Sequence, residues 1–494
     1  MVLISSTSSV RTIARRPRRC ILVLEKKSTQ VMLPINSYTS LQKSVLVMVL
    51  LNALSVPIML SSVNVALPHI AADLELSALS VSWIPTAFLM ASAMFILVFG
   101  RLADMFGRKK IFLIGAVSVV FASILASLAT GAVSLIGARF LQGVGAAMLY
   151  ATQMAIVSSV FPLATRGRVI GLVISFIYIG LASGPLFGGI IVGQLGWRIN
   201  FLLQIPLAIL VFCIGMYKVE GDWAADERGV FDFTGALIYC LAIFIICIGA
   251  SFLPSSIGYV LMVAGLIGVG IFFRQARSSN HPLLDVKLFF TNRTFTFSAL
   301  ASLIMYSATF MNVVLLSLYL QYLKGLSPSA AGLIMMIQPL TMAVFSPLMG
   351  KLSDSIEPRI LSSAGMFVTA MGLVLLGMLN SNSQTSNIAI ALVVTGLGFS
   401  LFSSPNVNAI MSSVSRKHLG AAAAAVSTTR ILGQLFSMVL ITLIMALTFG
   451  ATQIEPANYF ELEKTIRFSF YSAAGLCVPG LLLSAVRGTI HSRQ

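Results

Sequence analysis

The chain consists of long apolar runs separated by short polar segments, a pattern that predicts membrane-spanning helices. About twenty consecutive apolar residues are needed for a helix to cross a bilayer. Measured against that length, the apolar runs predict fourteen spans. They lie near residues 44–66, 80–100, 110–130, 134–160, 168–192, 199–217, 234–253, 257–274, 296–320, 328–350, 359–379, 387–412, 421–448 and 466–486.

The fourteen spans divide into groups of six, two and six, and this grouping predicts the domain organisation. A first six-helix bundle and a second one are joined by a linker that contains two extra transmembrane helices, and a tail lies at each end. The expected boundaries are 1–43 for a basic tail, 44–217 for the first bundle, 218–295 for the linker, 296–486 for the second bundle and 487–494 for the last tail.

The two groups of six are related by an internal repeat. The segment G-K-L-S-D at 350–354 repeats G-R-L-A-D at 100–104, at a displacement of 250 residues. Four glycines of the first group recur 253 residues later in equivalent spans and loops. They are Gly143, Gly145, Gly167 and Gly180, followed by Gly396, Gly398, Gly420 and Gly433. We therefore predict a duplicated bundle with a substrate site between its halves.

Composition supports an all-α polytopic membrane protein. Of the 494 residues, 57% are hydrophobic and 10% charged, which is more apolar surface than one soluble core can bury. A net charge of +17 would suggest nucleic acid in a soluble protein, but most Lys and Arg fall in loops on one side of the predicted spans. That asymmetry predicts a cytoplasmic membrane protein with both termini in the cytoplasm, in contact with lipids and not with nucleic acid.

One polar loop, G-R-L-A-D-M-F-G-R-K-K at residues 100–110, carries five charges between two apolar spans. Its basic residues predict a cytoplasmic position. We expect Gly100 to allow close packing of a helix end, Gly107 to adopt a positive φ, and Asp104 to face a helix N-terminus in the other half. Arg108 is expected to pair with a carboxylate, and Lys109 adds positive charge. An ordinary basic loop is the alternative interpretation.

This loop resembles the signature G-x-L-A-D-x-x-G-R-K-x of the major facilitator superfamily and matches it at every fixed position. In that superfamily the cluster holds the cytoplasmic side closed while the outside is open. Further similarity to the fourteen-span drug:proton antiporter (multidrug efflux) family covers the chain from about residue 44 to its end. It includes N-V-A-L-P at 64–68, G-W-R at 196–198, D-F-T-G at 232–235 and R-I-L-G at 430–433.

The fifth span contains G-L-A-S-G-P-L-F-G-G at 180–189, which resembles the antiporter motif G-x-x-x-G-P-x-x-G-G of exporters in that superfamily. The second half lacks it at the equivalent place, and this asymmetry favours export. Simple helix packing is the alternative, since glycines allow close backbone approach and proline bends a span. The residues concerned are Gly180, Gly184, Pro185, Gly188 and Gly189.

The fourth span contains R-F-L-Q-G-V-G-A-A from Arg139, which resembles the superfamily's R-x-x-Q-G-x-G-A pattern. A guanidinium inside an apolar span is costly unless it faces protein or water, so Arg139 and Arg430 are candidate functional residues. In proton-coupled relatives the arginine at the position of Arg139 interacts with the carboxylate that titrates. A structural arginine bonded to carbonyl groups is the alternative.

Polar side chains in other apolar spans are candidates for the cavity wall, because an unpaired amide or hydroxyl is costly there. Hydrogen bonding between helices is the alternative for each of them. The candidates are Asn64, Gln142, Gln153, Tyr178, Asn312, Gln338 and Asn406.

The sequence departs from the antiporter family in its acidic residues. The family usually has an aspartate in the first span where this chain has Met59, and all fifteen Asp and Glu, like the four His, fall in loops, tails or span ends. Proton coupling is therefore absent, uses a rim group such as Asp73, Glu75 or Asp104, or is carried by the substrate. The site also offers no counter-ion to a cation, which favours a neutral or weakly acidic lipophilic compound.

From these observations we predict a monomeric secondary transporter that exports small lipophilic compounds by alternating access, with proton antiport. The alternatives are a facilitator or importer of a small metabolite, and a sensor without transport on the same fold. No clustered groups for catalysis, no metal spacing and no cofactor motif are found, so we do not expect an enzyme.

Overall fold

The computed structural model describes residues 38–224, 230–279, 282–284, 286–414, 419–449 and 452–488. Most of the predicted basic tail, together with Asp226, Glu227 and Asp285, lies outside the described residues. Within the described part, fourteen helices are long and apolar enough to cross a membrane. The number of spans predicted from the sequence is therefore confirmed.

The helices are numbered in chain order. The first half holds α1 Ser40–Asp73, α2 Ala78–Phe106, α3 Arg108–Ser127, α4 Ala132–Val160, α5 Thr165–Leu195 and α6 Trp197–Tyr217; the extra pair is α7 Phe233–Ser251 and α8 Ser256–Ser278. The second half holds α9 Arg293–Leu323, α10 Pro328–Leu352, α11 Pro358–Gly377, α12 Thr385–Ser412, α13 Ala422–Thr448 and α14 Pro456–Val486. Helix α9 ends in a π-helical turn, Tyr319–Leu323.

Polar residues just before several spans explain where the helices begin. The side chains of Ser77, Asp232, Ser255, Asn292 and Ser327 each accept a hydrogen bond from a backbone N–H in the first turn of the following helix. The first N–H groups of a helix have no partner inside it, so these caps stabilise the starts of α2, α7, α8, α9 and α10.

The two halves are built by the same helix contacts. In the first half α1 packs on α5, α2 on α4, and α3 on α4 and α6; in the second half α9 packs on α13, α10 on α12, and α11 on α12 and α14. Each contact of the second half is the equivalent of one in the first. The structure therefore shows the duplication that the glycine repeat indicated.

Two pairs of the repeated glycines illustrate equivalent close contacts in the two halves. A Cβ at Gly145 would lie 3.0 Å from the Gly115 carbonyl oxygen, and one at Gly398 would lie 2.9 Å from the Gly365 carbonyl oxygen. Likewise, Gly180 faces the Leu54 carbonyl, while the equivalent Gly433 faces that of Leu303. Small residues let helix backbones approach in lipid, where burial from water cannot drive association.

For reference we call the end of the molecule with Gly107 the basic end, and the opposite end, with Asp73, the far end. At the far end several hydrogen bonds join the halves: Thr442 Oγ1 lies 3.1 Å from Ser82 Oγ, and Gln321 Nε2 donates to the Val65 carbonyl oxygen at 2.9 Å. Gln453 Nε2 also donates to the Glu75 carbonyl oxygen at 3.0 Å. The far end is therefore closed in this structure.

The extra pair of helices covers one of the two seams between the halves. Helix α7 packs against both α2 and α13, while α5 and α10 form the opposite seam. Tyr239 donates a hydrogen bond to the Ala93 carbonyl oxygen at 2.8 Å, and Trp83 Nε1 donates to Ser251 Oγ at 2.9 Å. These bonds attach the pair to α2, in the first half.

The glycine contacts generate a stability prediction for two glycines on α4. A Cβ at Gly145 would lie 2.9 Å from Val119 Cγ2, whereas one at Gly137 would meet nothing within 4 Å. We expect Gly145→Ala to reduce the stability by about 1–3 kcal/mol through overpacking. Thermal unfolding of the purified protein in detergent measures the effect. The matched control Gly137→Ala should unfold near the wild-type temperature, and equal behaviour of the two variants would contradict the prediction.

Candidate functional site

The loop between α2 and α3 is organised by a glycine and an ion pair. Gly107 has a φ of 111°, a region that favours glycine, and it separates two helices that would otherwise be continuous. Arg108 Nη2 lies 2.8 Å from Asp104 Oδ1, and Arg108 Nη1 donates to Ser159 Oγ of α4 at 2.6 Å. The expected pairing of Arg108 with a carboxylate is present, and its partner belongs to the same loop.

Two expectations about this loop differ from the structure. A Cβ at Gly100 would meet nothing within 4 Å, so Gly100 does not mark a close contact. Asp104 was expected at a helix N-terminus in the other half, but its carboxylate is bonded by two nitrogens of the Arg108 guanidinium. The short spacing of four residues on adjoining helical turns allows this local pair to form.

A carboxylate outside the signature, Asp222, caps the start of α3. Its Oδ1 accepts hydrogen bonds from the backbone N–H groups of Lys109 and Trp223, each at 2.9 Å. Lys109 Nζ in turn donates to the Val219 carbonyl oxygen at 2.6 Å. Because α3 begins with three basic residues at the positive end of its dipole, an acidic cap offsets that charge. Sequence reasoning missed this role; an aspartate shortly after the sixth span was the available signal.

The buried arginine of α4 belongs to a polar network inside the first half. Arg139 is fully buried; its Nε donates to the Ile84 carbonyl oxygen at 3.2 Å and its Nη1 to Gln142 Oε1 at 2.6 Å. Gln142 Nε2 donates to Ser123 Oγ at 2.8 Å, and Ser123 also receives the Gln204 amide. Arg139 Nη2 has no partner among the described residues. The network joins α2, α3, α4 and α6.

The glycines of the α5 motif face two different neighbours. A Cβ at Gly180 would lie 2.6 Å from the Leu54 carbonyl oxygen, and one at Gly188 would lie 2.7 Å from Ser62 Cβ; Gly184 faces Ser61 on the same helix, α1. Gly189 instead faces the Pro328 carbonyl of α10, across the boundary between the halves. The motif therefore both fixes α5 to α1 and forms part of the far-end closure.

A cavity lies between the two halves near the middle of the molecule. The first half contributes a small number of its lining residues, and the second half contributes the rest, including several amides and hydroxyls. Its lining includes Ser61, Leu181, Pro185, Tyr306, Thr309, Phe310, Asn312, Val313, Leu316, Met335, Gln338, Pro339, Met342, Phe399 and Gln434. The wall is mainly apolar with a few polar groups, as expected for a site that binds a small molecule.

Two of the candidate amides meet on the cavity wall. Asn312 Nδ2 lies 3.4 Å from Gln338 Oε1, so the amides of α9 and α10 face each other. Asn312 Oδ1 is buried and has no donor among the described residues. Tyr178, from the other half, donates to or accepts from Ser403 Oγ at 2.8 Å and packs in an apolar cluster that includes Phe399.

Four other candidates are placed away from this cavity. Gln142 belongs to the Arg139 network, Gln153 Oε1 accepts from Asn52 at 2.6 Å, and Asn64 Nδ2 donates to the Leu60 carbonyl oxygen at 2.9 Å. Asn406 Oδ1 accepts from Arg487 at 2.6 Å. Each of these bonds lies within one half, so for these four candidates the structure shows hydrogen bonding inside a half and not a position on the cavity wall.

Arg487 itself was assigned to the last tail, yet the structure buries it to 1% exposure at the basic end of the second half. Its Nη1 also lies 3.2 Å from Ser298 Oγ, and its Nη2 lies 3.2 Å from Ser362 Oγ. Burial lowers the pKa of the Arg487 guanidinium to about 10, which leaves it charged at neutral pH. Its position directly after the last apolar run concealed this role, because a long side chain can turn back toward the bundle.

A duplicated bundle of membrane-spanning helices around a central cavity defines a transport protein of the kind that moves small molecules between two faces of a membrane. Residues 49–275 and 298–491 match the model of the Major Facilitator Superfamily, and the chain belongs to that family.

Several relatives are similar over most of the chain. The riboflavin transporter RibZ of Clostridioides difficile is 29% identical over 86% of this chain and 92% of its own length. The multidrug resistance protein Stp of Mycobacterium tuberculosis is 29% identical over 82% of this chain and 75% of its own. A solved POT family transporter in complex with a thioalcohol conjugated peptide has a TM-score of 0.67 at 15% identity, with 90% of this chain and 96% of that chain covered. That structure supports the fold alone.

The cap on α3 generates a prediction for the basic end. We expect Asp222→Ala to destabilise the protein by about 1 kcal/mol, because two backbone N–H groups lose their acceptor beside three basic residues. Thermal unfolding in detergent tests this. Glu220→Gln, two residues away on an exposed position, is the matched control and should unfold like wild type. A loss of similar size in both variants would contradict the capping role.

The contact at Gly189 generates a prediction for the far end. We expect Gly189→Ala to lower the population of the far-end-closed form by roughly tenfold or more, since its Cβ would overlap the Pro328 backbone. The measurement is maleimide labelling of Thr442→Cys, a buried far-end position, in a background without the native cysteines. Gly171→Ala, whose Cβ would meet nothing within 4 Å, is the control. Equal labelling in both variants would contradict the prediction.

Proposed function

We propose that the protein is a secondary transporter that exports small lipophilic compounds from the cytoplasm by alternating access. The observation that carries the proposal is the central cavity, whose mainly apolar wall includes Leu181 and Pro185 from the first half and Asn312 and Gln338 from the second. A cavity shared by two halves opens to alternate sides when the halves rock against each other, and no covalent chemistry is needed.

The direction of transport is argued from two features. The α5 motif resembles that of exporters, and relatives such as Stp and the probable actinorhodin transporter of Streptomyces coelicolor carry names that refer to drug resistance or to an antibiotic. The basic loop around Gly107 supports placing that end in the cytoplasm of a cell whose plasma membrane holds the protein. On this orientation, the structure with a closed far end is one that receives substrate from inside.

The mode of energy coupling has two candidates. Proton antiport follows from the family resemblance, and the rim carboxylates Asp73 and Asp104 are the groups available for it; Asp73 is ion-paired with Arg198 at 2.6 Å. A facilitator without protons is favoured by one observation: no Asp, Glu or His is among the residues that line the cavity in the described part of the chain. A facilitator still exports an anion, because an inside-negative potential contributes about 2.3 kcal/mol per 100 mV for each charge.

Transport in everted membrane vesicles tests the proposal and separates these candidates. The probes are N-phenyl-1-naphthylamine, a neutral lipophilic fluorophore, and riboflavin, chosen because a relative is named for its transport. We expect faster uptake of at least one probe than in vesicles from cells that lack the protein. Uptake that is driven by an inside-acid pH gradient and abolished by an uncoupler supports antiport. Uptake at the same rate with and without the gradient supports the facilitator. No uptake above the control would contradict the proposed function.

A further inference from the structure

Unlike Arg139 and Arg487, Arg430 of α13 has no hydrogen-bond or ion-pair partner among the residues that the structure describes. Arg139 and Arg487 donate to carbonyl, amide and hydroxyl oxygens. The guanidinium of Arg430 lies over the Tyr150 ring, 5.4 Å from its centroid, and no hydrogen bond or ion pair joins it to the described residues. A cation in an apolar span without dipoles to solvate it is costly, which marks this position as a site for an anion or water.

The surroundings of Arg430 are aromatic hydroxyl groups from both halves. The Tyr150 ring of the first half lies beside the guanidinium, and Tyr306 of the second half packs against α13 at Gly433, three residues after Arg430, where a Cβ would lie 2.6 Å from Tyr306 Cβ. Arg430 is only partly exposed, and Tyr178 is held in place by Ser403. Phenol O–H groups can donate to an anion that a guanidinium attracts, so Tyr150 and Tyr306 add two donors beside Arg430.

This set of donors adjoins the central cavity. Gln434 lies one helical turn after Arg430 on α13 and lines the cavity, and Tyr306 lies on the same wall. Farther along α9 from Tyr306, at a rise of about 9 Å, Asn312 has a buried side-chain oxygen that no group in the described part of the chain donates to. Between the two ends the wall is apolar and includes Phe310 and Phe399. The cavity thus has a guanidinium and phenol groups beside one end, an apolar middle and a hydrogen-bond acceptor near the other end.

We propose that Arg430, with Tyr150 and Tyr306, binds the anionic group of a lipophilic organic acid, and that this contact sets the substrate class of the transporter. The inference rests on the proposed transport function and deepens it. The substrate has an apolar, planar body that fits against the aromatic wall. An N–H donor near the other end is satisfied by Asn312. A lipophilic cation is disfavoured, because it would meet a fixed positive charge and no carboxylate on the described cavity wall.

Equilibrium binding to the purified full-length protein in detergent tests this inference separately from transport. The probes are 1-naphthylacetate and 1-naphthylacetamide, which share one ring system and differ in the charge of a single group. We expect the acid to bind wild type about tenfold or more tightly than the amide, as a charge-assisted contact in a partly dry site implies. In Arg430→Gln that preference should disappear, and in Arg430→Lys a good part of it should remain.

Arg467→Gln is the matched control, since Arg467 is an exposed arginine at the far end, ion-paired with Glu463. It should keep the wild-type preference for the acid. Equal affinities of acid and amide in wild type, including no binding of either, would overturn the inference, as would an unchanged preference in Arg430→Gln. A preference for the acid without flux in vesicles would instead contradict the proposed function and leave the anion site standing.

Discussion

The cost of placing positive charge in an apolar interior is the constraint on which this structure depends. A guanidinium removed from water must be surrounded by oxygens or lie beside a water-filled space. Arg139 meets the condition with the Ile84 carbonyl and the Gln142 amide, and Arg487 meets it with Asn406 and two serines. Each therefore fixes helices within one half. Arg430 has no such bond to the described residues, and it lies partly exposed at the boundary of the halves, where we propose that a substrate anion binds.

The close packing within each half suits the proposed alternating access, in which each half would move as a unit. Gly145 on Gly115 and Gly398 on Gly365 bring backbones together at equivalent points, and interiors packed at such distances respond to force by moving as blocks. The contacts between halves differ in kind. At the far end they include single hydrogen bonds such as Ser82 with Thr442, which water could replace in the proposed opening of the seam.

Much of the fold could be predicted from the sequence, because lipid imposes a length on every span and a side on every basic loop. The fourteen spans and the duplication follow from apolar run length and from glycine spacing. The partners of individual polar side chains could not be predicted. Whether Asn406 faces a cavity or Arg487 depends on how α12 is rotated about its axis, and packing decides that rotation. Successive side chains on a helix point only about 100° apart, so a small rotation changes which neighbour a residue faces.

The candidate site could be predicted only in part, because the sequence does not reveal how each helix is rotated. Asn312 and Gln338 lie on the cavity as their position in apolar spans suggested, whereas Asp222 and Tyr306 were missed. Asp222 lies in a polar stretch far from α3 in sequence, and a tyrosine in a span gives no signal that distinguishes a wall from a core. Chain-distant contacts of this kind appear only once the helices are assembled.

The central claim is that the halves rock about the cavity, closing one end as the other opens. Spin-label distances in lipid nanodiscs test it most directly, with one pair at Glu75 and Gln453 of the far end and one pair at Phe106 and Lys351 of the basic end. The account predicts a short and a long distance for each pair. The fraction of molecules with the long distance at the far end should equal the fraction with the short distance at the basic end, because one end closes as the other opens. A single fixed distance at both ends, or two ends that widen together, would contradict it.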